Sequence, residues 1–352
     1  MKINLLKKFT IFLISIIILN ACGSNKQNLP INTLLQEQIE SKSLSITSIQ
    51  NSTKLNIYPV SINDLAEFPY IFQRQDGSFI ISYNSKVHGN RKIFIRTSND
   101  GITWSESVKA TNNKLSDSHP QIIEDNSGKL ILFYISNKTG AWKIYKTTSS
   151  DGINWTESTL IPIPDGQTGN IVNFSVIYDS NKIILVYQYL GGGIFITKFL
   201  TDKWEKPVEI SKSGENPCLL KDKNNNYILA YQDIDYENTT NIFVSYSNDL
   251  IQWKKMDKIT NFQYAKDPNI IQYNGEYILT FSLESNPGVW NIYQQKSKDL
   301  KNWSHIEKLT DNNKLNSQPC RFVGKNGVIF ITWTVEDPDN WSSGIFIGIP
   351  KK

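Results

Sequence analysis

Three carboxylates, Glu67, Glu215 and Asp267, stand one or two residues ahead of prolines that recur along the chain, Pro69, Pro217 and Pro268. Carboxylates brought together in pairs can hydrolyse a glycosidic bond. One protonates the leaving oxygen and the other acts as nucleophile or base, at a separation of roughly 5–5.5 Å or 6.5–9.5 Å. Further acids and indoles fall in segments expected to form loops: Trp142, Asp233, Trp290, Glu336 and Trp341. Carboxylates interleaved with tryptophans suit a sugar, because acids accept hydrogen bonds from hydroxyls while an indole covers the apolar ring face. His119 occupies the same pre-proline place as Asp267, either to contact a ligand or, more commonly for such a histidine, to serve the structure. Arg321 falls in a register otherwise held by Ile71, Ile122, Ser175, Leu219 and Ile270. A guanidinium there calls for a carboxylate partner or an anionic ligand.

The elements that would position these residues are legible as repeats. Proline stands at Pro69, Pro120, Pro217, Pro268 and Pro319, with Asn173 in the equivalent place. An aromatic follows each after thirteen or fourteen residues: Tyr83, Tyr134, Tyr187, Tyr231, Phe281 and Trp333. A second series, Ser-x-Asp followed by tryptophan, places Trp104, Trp155, Trp253 and Trp303 at the same period, with Trp204 in a worn copy; the intervals are 51, 49, 49 and 50 residues. A regular period of this length means one structural unit repeated. Short β-branched and aromatic runs bounded by Asp76-Gly77, Ser127-Gly128 and Asn274-Gly275 read as antiparallel strands joined by tight turns.

Six registers of four strands predict an all-β fold, a six-bladed β-propeller of four-stranded antiparallel blades. The segment Leu55–Pro59 is expected to pair with the last unit and close the ring, removing an exposed edge. Asp100, Asp151, Asp249 and Asp299 are read as scaffold: a short acid in a tight turn accepts backbone N–H bonds, and the tryptophan that follows packs between sheets. The residues leading into each unit differ from copy to copy: Glu67-Phe68, Ser118-His119, Ile171-Val172, Glu215-Asn216, Lys266-Asp267 and Ser317-Gln318. That diversity, set against a repetitive body, suggests contact with a ligand.

The chain starts with Lys2, Lys7 and Lys8 followed by the apolar run Phe9–Leu19, which has the form of an export signal. Leu19-Asn20-Ala21-Cys22 resembles the lipobox of bacterial lipoproteins. The resemblance implies removal of residues 1–21, a lipid on Cys22 and a place in the bacterial cell envelope, with the membrane contacted through that anchor alone. Residues 22–53, polar and poor in aromatics, are expected to form a tether ahead of a single domain over 54–352. The whole chain carries a formal +4, and loss of the three early lysines leaves about +1, which gives no reason to expect nucleic acid. Cys218 and Cys320 are expected to be small buried residues, and no cofactor or metal is indicated, calcium included.

The Ser-x-Asp…Trp copies resemble the Asp-box (BNR) propellers of the sialidase superfamily over roughly Leu55 to Ile349, in a form one residue shorter between Asp and Trp. The Ser297–Trp303 copy and Lys266-Asp267-Pro268 also resemble the arabinanase and fructosidase hydrolases. Sialidases hold the substrate carboxylate with three arginines and begin with a Phe/Tyr-Arg-Ile-Pro motif. Here that place reads Glu67-Phe68-Pro69-Tyr70, and of the four arginines only Arg91 and Arg321 are placed to reach a central funnel. Sialic acid hydrolysis is therefore disfavoured. Three functions remain: a surface-anchored module binding carbohydrate or a glycoconjugate, a glycoside hydrolase of other specificity using Glu67, Glu215 or Asp267, and a protein-interaction platform.

Overall fold

The computed structural model of the chain describes Ile49 and residues 52–62, 65–87, 89–164, 169–200, 202–235, 237–339 and 342–351. Residues 1–22, with the expected export signal and the Cys22 expected to carry lipid, lie outside the described residues, as does Trp341. No helix among the described residues is long and apolar enough to cross a membrane.

The aromatic series organises the strands. Tyr83, Tyr134, Tyr187, Tyr231, Phe281 and Trp333 are all almost fully buried. Each lies opposite an aromatic on the next strand: Phe94, Tyr145, Phe195, Phe243, Tyr293 and Phe346. The six pairs stack with interplanar angles between 20° and 30°. Directly opposed aromatics are among the stronger cross-strand pairs, worth up to about 1 kcal/mol each. Once made, they fix the register of the second strand against the third.

The hydrogen-bonded sheets form an all-β propeller whose blades are unequal. Three four-stranded sheets stand alone, over residues 67–109, 117–160 and 215–258, beside a five-stranded sheet over residues 171–211. The fifth strand arises because Lys203–Trp204 and Val208–Ser211 both return to Ile194–Leu200. The remaining strands form one eight-stranded sheet. The expectation of six four-stranded blades closed by an N-terminal strand is therefore corrected. Trp290 runs parallel to Leu315, and this single pairing merges the meander over 265–308 with the one over 315–350. Leu55–Ser61 adds to the far side of the same sheet, antiparallel to Ser342–Pro350, with Leu55 opposite Pro350.

Packing reaches further toward the N-terminus than the sequence placed the domain. Ile49 is buried with Leu55, Ile292, Leu309 and Trp333. Ser52 Oγ donates to the Leu309 carbonyl at 2.9 Å. The apolar clusters draw on neighbouring meanders; Ile80, Ile93 and Ile95 pack with Ile122, Leu130 and Leu132, for example. Each such side chain contributes about 1.5–3 kcal/mol when fully buried, so inter-sheet packing, rather than the polar turns, supplies most of the cohesion.

The two ends of the strands are chemically different. At one end Phe79 pairs with Ser98, where the Ser-x-Asp turns follow; at the other, Glu67 pairs with Asn84. In the turn, Asp100 Oδ1 accepts the N–H groups of Ile102 and Thr103 at 2.8 and 2.7 Å, and Ser98 Oγ accepts those of Asp100 and Gly101. Asp151, Asp249 and Asp299 repeat this geometry with their own neighbours. Backbone donors draw the Asp100 carboxyl down to about 2, and hold the other three below the usual carboxylate range. Trp104, Trp155, Trp253 and Trp303 each pack against a different apolar cluster.

Candidate functional site

At the opposite end, each first strand slips register beside its repeat proline. The shifts fall between Glu67 and Tyr70, Ser118 and Gln121, Glu215 and Cys218, Lys266 and Asn269, and Ser317 and Cys320. In all five the residue preceding proline is left-handed: Phe68, His119, Asn216, Asp267 and Gln318 have φ between 50° and 56°. A non-glycine residue in that region costs of order 1–3 kcal/mol and persists only where its surroundings hold it.

Here the surroundings are the other bulges. Asn173 Nδ2 donates to Asn216 Oδ1 at 2.8 Å, and Asn216 Nδ2 donates to Asp267 Oδ1 at 2.9 Å. The Gln318 N–H donates to Asp267 Oδ2 at 3.2 Å, and the Phe68 N–H donates to Gln318 Oε1 at 2.9 Å. The Phe68 ring lies on His119 with centroids 3.6 Å apart. A second tier comes from the residue immediately after each strand-two aromatic. Gln188 Oε1 accepts the Asn216 N–H, and Gln232 Oε1 accepts the Asp267 N–H. Ser282 Oγ donates to Asp267 Oδ2, while Thr334 Oγ1 accepts the Phe68 N–H and donates to Gln318 Oε1. Neighbouring meanders are thus tied together by a polar belt.

Asp267, expected as a catalytic acid or base, belongs to this belt. Its two oxygens accept from Asn216, Gln318 and Ser282, bonds of the charge-assisted kind. The second tier went unread in the sequence, although the pattern is there: Asn84, Gln188, Gln232, Ser282 and Thr334 directly follow aromatics of the repeat.

Beside the belt, charged side chains from three meanders converge. Arg91 Nε donates to Glu67 Oε2 at 2.9 Å and its terminal nitrogen donates to Glu67 Oε1 at 3.2 Å, a two-pronged pair whose side chains are 19 and 18 % exposed. Asn84 Nδ2 also reaches Glu67 Oε2, at 3.4 Å. Lys266 Nζ sits 4.2 Å from the centroid of the Trp290 ring. Burial pushes the Glu336 carboxyl up from the usual glutamate range, and Glu67 and Asp267 push the same way; Lys266 and Arg91 oppose them. The merged sheet creates this neighbourhood. Leu315 pairs with Trp290 on one side and Glu336 on the other, so those two residues stand two strand spacings apart, roughly 10 Å.

Of the other sequence candidates, His119 adjoins this group, in the field of Arg91 and stacked on Phe68, and the rest make contacts of their own. Glu215 is raised by burial, with Asp233 adding to the shift, and accepts from Gln232 Nε2 at 3.2 Å. Asp233 accepts the Ile234 N–H and lies 3.8 Å from Lys255. Trp142 is half-buried against the cluster containing Ile144, Phe174 and Tyr187. Arg321 is turned into the interior, 4 % exposed, and its terminal nitrogen donates to Gln294 Oε1 at 2.6 Å; Gln294 in turn donates to Glu307. His119 contacts Ser118 Oγ through Nδ1, and burial, with Arg91 adding, holds its imidazole down at about 3. It is therefore uncharged at neutral pH.

Among the described residues no group of three or more His, Cys, Asp or Glu side chains could hold a metal ion. Cys218 and Cys320 are free thiols, half-buried and buried, and burial raises both. Two cavities, of about 520 and 570 Å³, lie elsewhere: one around Ile161, Phe199 and Trp204, the other around Arg74, Ser149 and Asn154. Neither includes a residue of the Glu67–Glu336 group.

The chemistry available in that group is specific. Glu336 keeps its proton to higher pH than an ordinary glutamate, which suits a proton donor. Glu67 is oriented by a guanidinium, and an indole stands nearby under the Lys266 ammonium.

No protein-family model and no curated protein matches the sequence. Among solved structures, the chain is similar to a protein of unknown function from Dyadobacter fermentans, with TM-score 0.67 and 13% identity over 86% of this chain and 100% of that one. It is similar to the NanB sialidase from Streptococcus pneumoniae, with TM-score 0.62 and 14% identity over 81% of this chain and 68% of that one. It is also similar to the GH93 α-L-arabinofuranosidase of Fusarium graminearum, seen in complex with arabinobiose, with TM-score 0.63 and 16% identity over 81% and 92%. At these identities the likeness is one of fold: an all-β propeller resembling those of sialidases and related glycosidases.

Proposed function

We propose that this chain is an exported, lipid-anchored propeller that recognises carbohydrate through Glu67, Arg91, Lys266, Trp290 and Glu336. The observation that carries the reading is the convergence of an indole, a two-pronged Glu67–Arg91 pair and a desolvated carboxyl beside one polar belt. Such a mixture offers hydroxyl-accepting groups around a surface able to cover an apolar sugar face. The likeness of fold to glycan-processing proteins points the same way. A glycan array probed with the full chain tests it: retention of defined saccharides is expected, and a blank array refutes it. The anchor rests on the residues around Cys22, and fatty-acid labelling that survives in Cys22→Ser would refute it.

A hydrolytic reading is favoured by one feature, the raised Glu336 carboxyl in the field of Glu67. A protonated acid near an ionisable partner is the equipment of glycoside hydrolysis. In this reading Glu336 protonates the departing oxygen as the glycosidic bond breaks, and Glu67 either attacks the anomeric carbon or takes a proton from the water that does. Release from chromogenic glycosides, abolished in Glu336→Gln, separates hydrolysis from binding alone.

A further inference from the structure

We propose that the ligand is an oligosaccharide rather than a single sugar, held at one end by the group around Glu67 and Glu336 and leaving the ring over the hairpin at 188–194, past Glu215. The inference rests on the carbohydrate-binding reading above and specifies the length and path of the ligand.

The first strands of the meanders pack in a closed circuit: Glu67–Gln73 beside Asp117–Glu124, then Ile171–Asp179, Glu215–Lys221, Ala265–Tyr273, Leu315–Val323 and back to Glu67–Gln73. The meander over 171–211 therefore faces the one that carries Glu336, and Glu215 faces Glu67. Past the buried aromatic, the second and third strands of five meanders stay paired as far as Val87 and Asn90, Thr139 and Ala141, Ile234 and Thr240, Asn286 and Val289, and Asp337 and Ser342. In the meander over 171–211 the ladder ends at Gln188 and Ile194, the pair next to Tyr187 and Phe195. The wall of the ring is lower there by two residues or more, roughly 7 Å or more. Glycine makes the short turn possible. Gly191, Gly192 and Gly193 all have φ between 94° and 98°, a region open to glycine. A Cβ on Gly192 would meet the Ser213 backbone at 3.1–3.3 Å, so the hairpin is pressed down onto the link that follows it.

Groups able to hold a sugar stand at this low side. Gln188 is 4 % exposed; its Oε1 accepts the Asn216 N–H at 2.8 Å, while its amide donor has no partner among the described residues. Glu215, next along the chain from Asn216, gives one oxygen to Gln232 Nε2 at 3.2 Å and has no partner on the other among the described residues. It opposes Gln232 as Glu67 opposes Asn84, so the same register supplies a carboxylate on both sides of the ring. Asp233 beside it is engaged by the Ile234 N–H and Lys255. Leu190, at the turn, is 49 % exposed and can cover an apolar sugar face. A donor, an acceptor and an apolar surface are the elements of a saccharide subsite. Neighbouring first strands pack within about 10 Å of one another, so opposite members of the circuit stand roughly 15–20 Å apart. Several linked sugars span that gap and one ring does not.

The experiment measures affinity by calorimetry on the full chain, with linear oligosaccharides of arabinose, galactose, glucose and N-acetylglucosamine, each from one to six units. In at least one series the affinity should rise tenfold or more as the chain lengthens from one unit to four, then level off. Leu190→Ser alters a half-exposed side chain outside the apolar clusters, and Glu215→Gln keeps the shape of the side chain it replaces. Each should cut the gain with length to threefold or less. Tetramers binding no tighter than single sugars, or a gain that survives either variant, would overturn the inference while leaving carbohydrate binding intact. Failure of every probe would overturn both.

Discussion

The Ser-x-Asp turns repeat the same Ser, Asp and Trp with the same hydrogen bonds, whereas the pre-proline bulges at the opposite end of the same strands repeat only a backbone shape. In the turns each aspartate binds N–H groups two and three residues ahead, so every copy is self-contained and the same serine and aspartate serve each time. In the bulges the partners come from the neighbouring meander: Asn216 needs Asp267, Asp267 needs Gln318, and Gln318 needs Phe68. Each link must complement the next, so identity varies while geometry does not. Diversity around a repeat therefore has two sources, ligand contact and reciprocal complementarity. The bulge residues draw mainly on the second, and Glu67 and Glu336 remain as the side chains that the belt does not consume.

The contrast is sharpened most by removing one aspartate from each region. Asp267→Ala would leave the Asn216 amide and the Gln318 N–H facing a gap and relax a left-handed residue's restraint. Loss of bonds to a charged acceptor costs about 1.5–3 kcal/mol each, so a loss of roughly 3 kcal/mol or more is expected by denaturant unfolding. Asp151→Ala, whose donors are exposed backbone groups open to water, should lose clearly less. Equal losses would mean that the belt is no more cooperative than the turns.

Much of this architecture is legible in the sequence, and the reasons for the remainder are physical. Proline and Ser-x-Asp periods reveal the strands because backbone shape is encoded locally, and Leu55–Ser61 does pair with the last strand. The merging of two meanders was not legible, since one parallel pairing at Trp290 and Leu315 depends on how closely two loops approach. Arg321 reads in the sequence as a funnel residue, yet its register mates Ile71, Ile122, Leu219 and Ile270 are buried in the apolar clusters, and the arginine is likewise buried, on Gln294. The catalytic candidates Glu67 and Asp267 looked equivalent as carboxylates before proline. Their positions differ by one residue, and the bulge turns that difference into a site carboxylate in one case and a belt member in the other.

A smaller effect separates the site from the turns by pH. Glu336 binds its proton more tightly when folded than when unfolded, so its contribution to stability falls as pH rises through the ordinary glutamate value of 4.5. The turn aspartates run the other way, losing stability as pH falls below their unfolded range toward about 2 for Asp100. Glu336→Gln should therefore gain stability relative to the unmodified chain between pH 4 and pH 7, with Glu215 and Asp117, also raised by burial, unchanged in both. A constant difference in unfolding midpoint across that interval would remove the case for a desolvated Glu336.

The most direct measurement is a saccharide titration of two tryptophan variants, one from each end of the strands. With a glycan that the unmodified chain binds, Trp290→Ala should weaken binding tenfold or more while unfolding at nearly the same denaturant concentration. Trp155→Ala, which empties a space beside Ile80, Leu130 and Leu132, should unfold earlier yet bind with unchanged affinity while folded. Undiminished binding by Trp290→Ala would contradict the placement of the site.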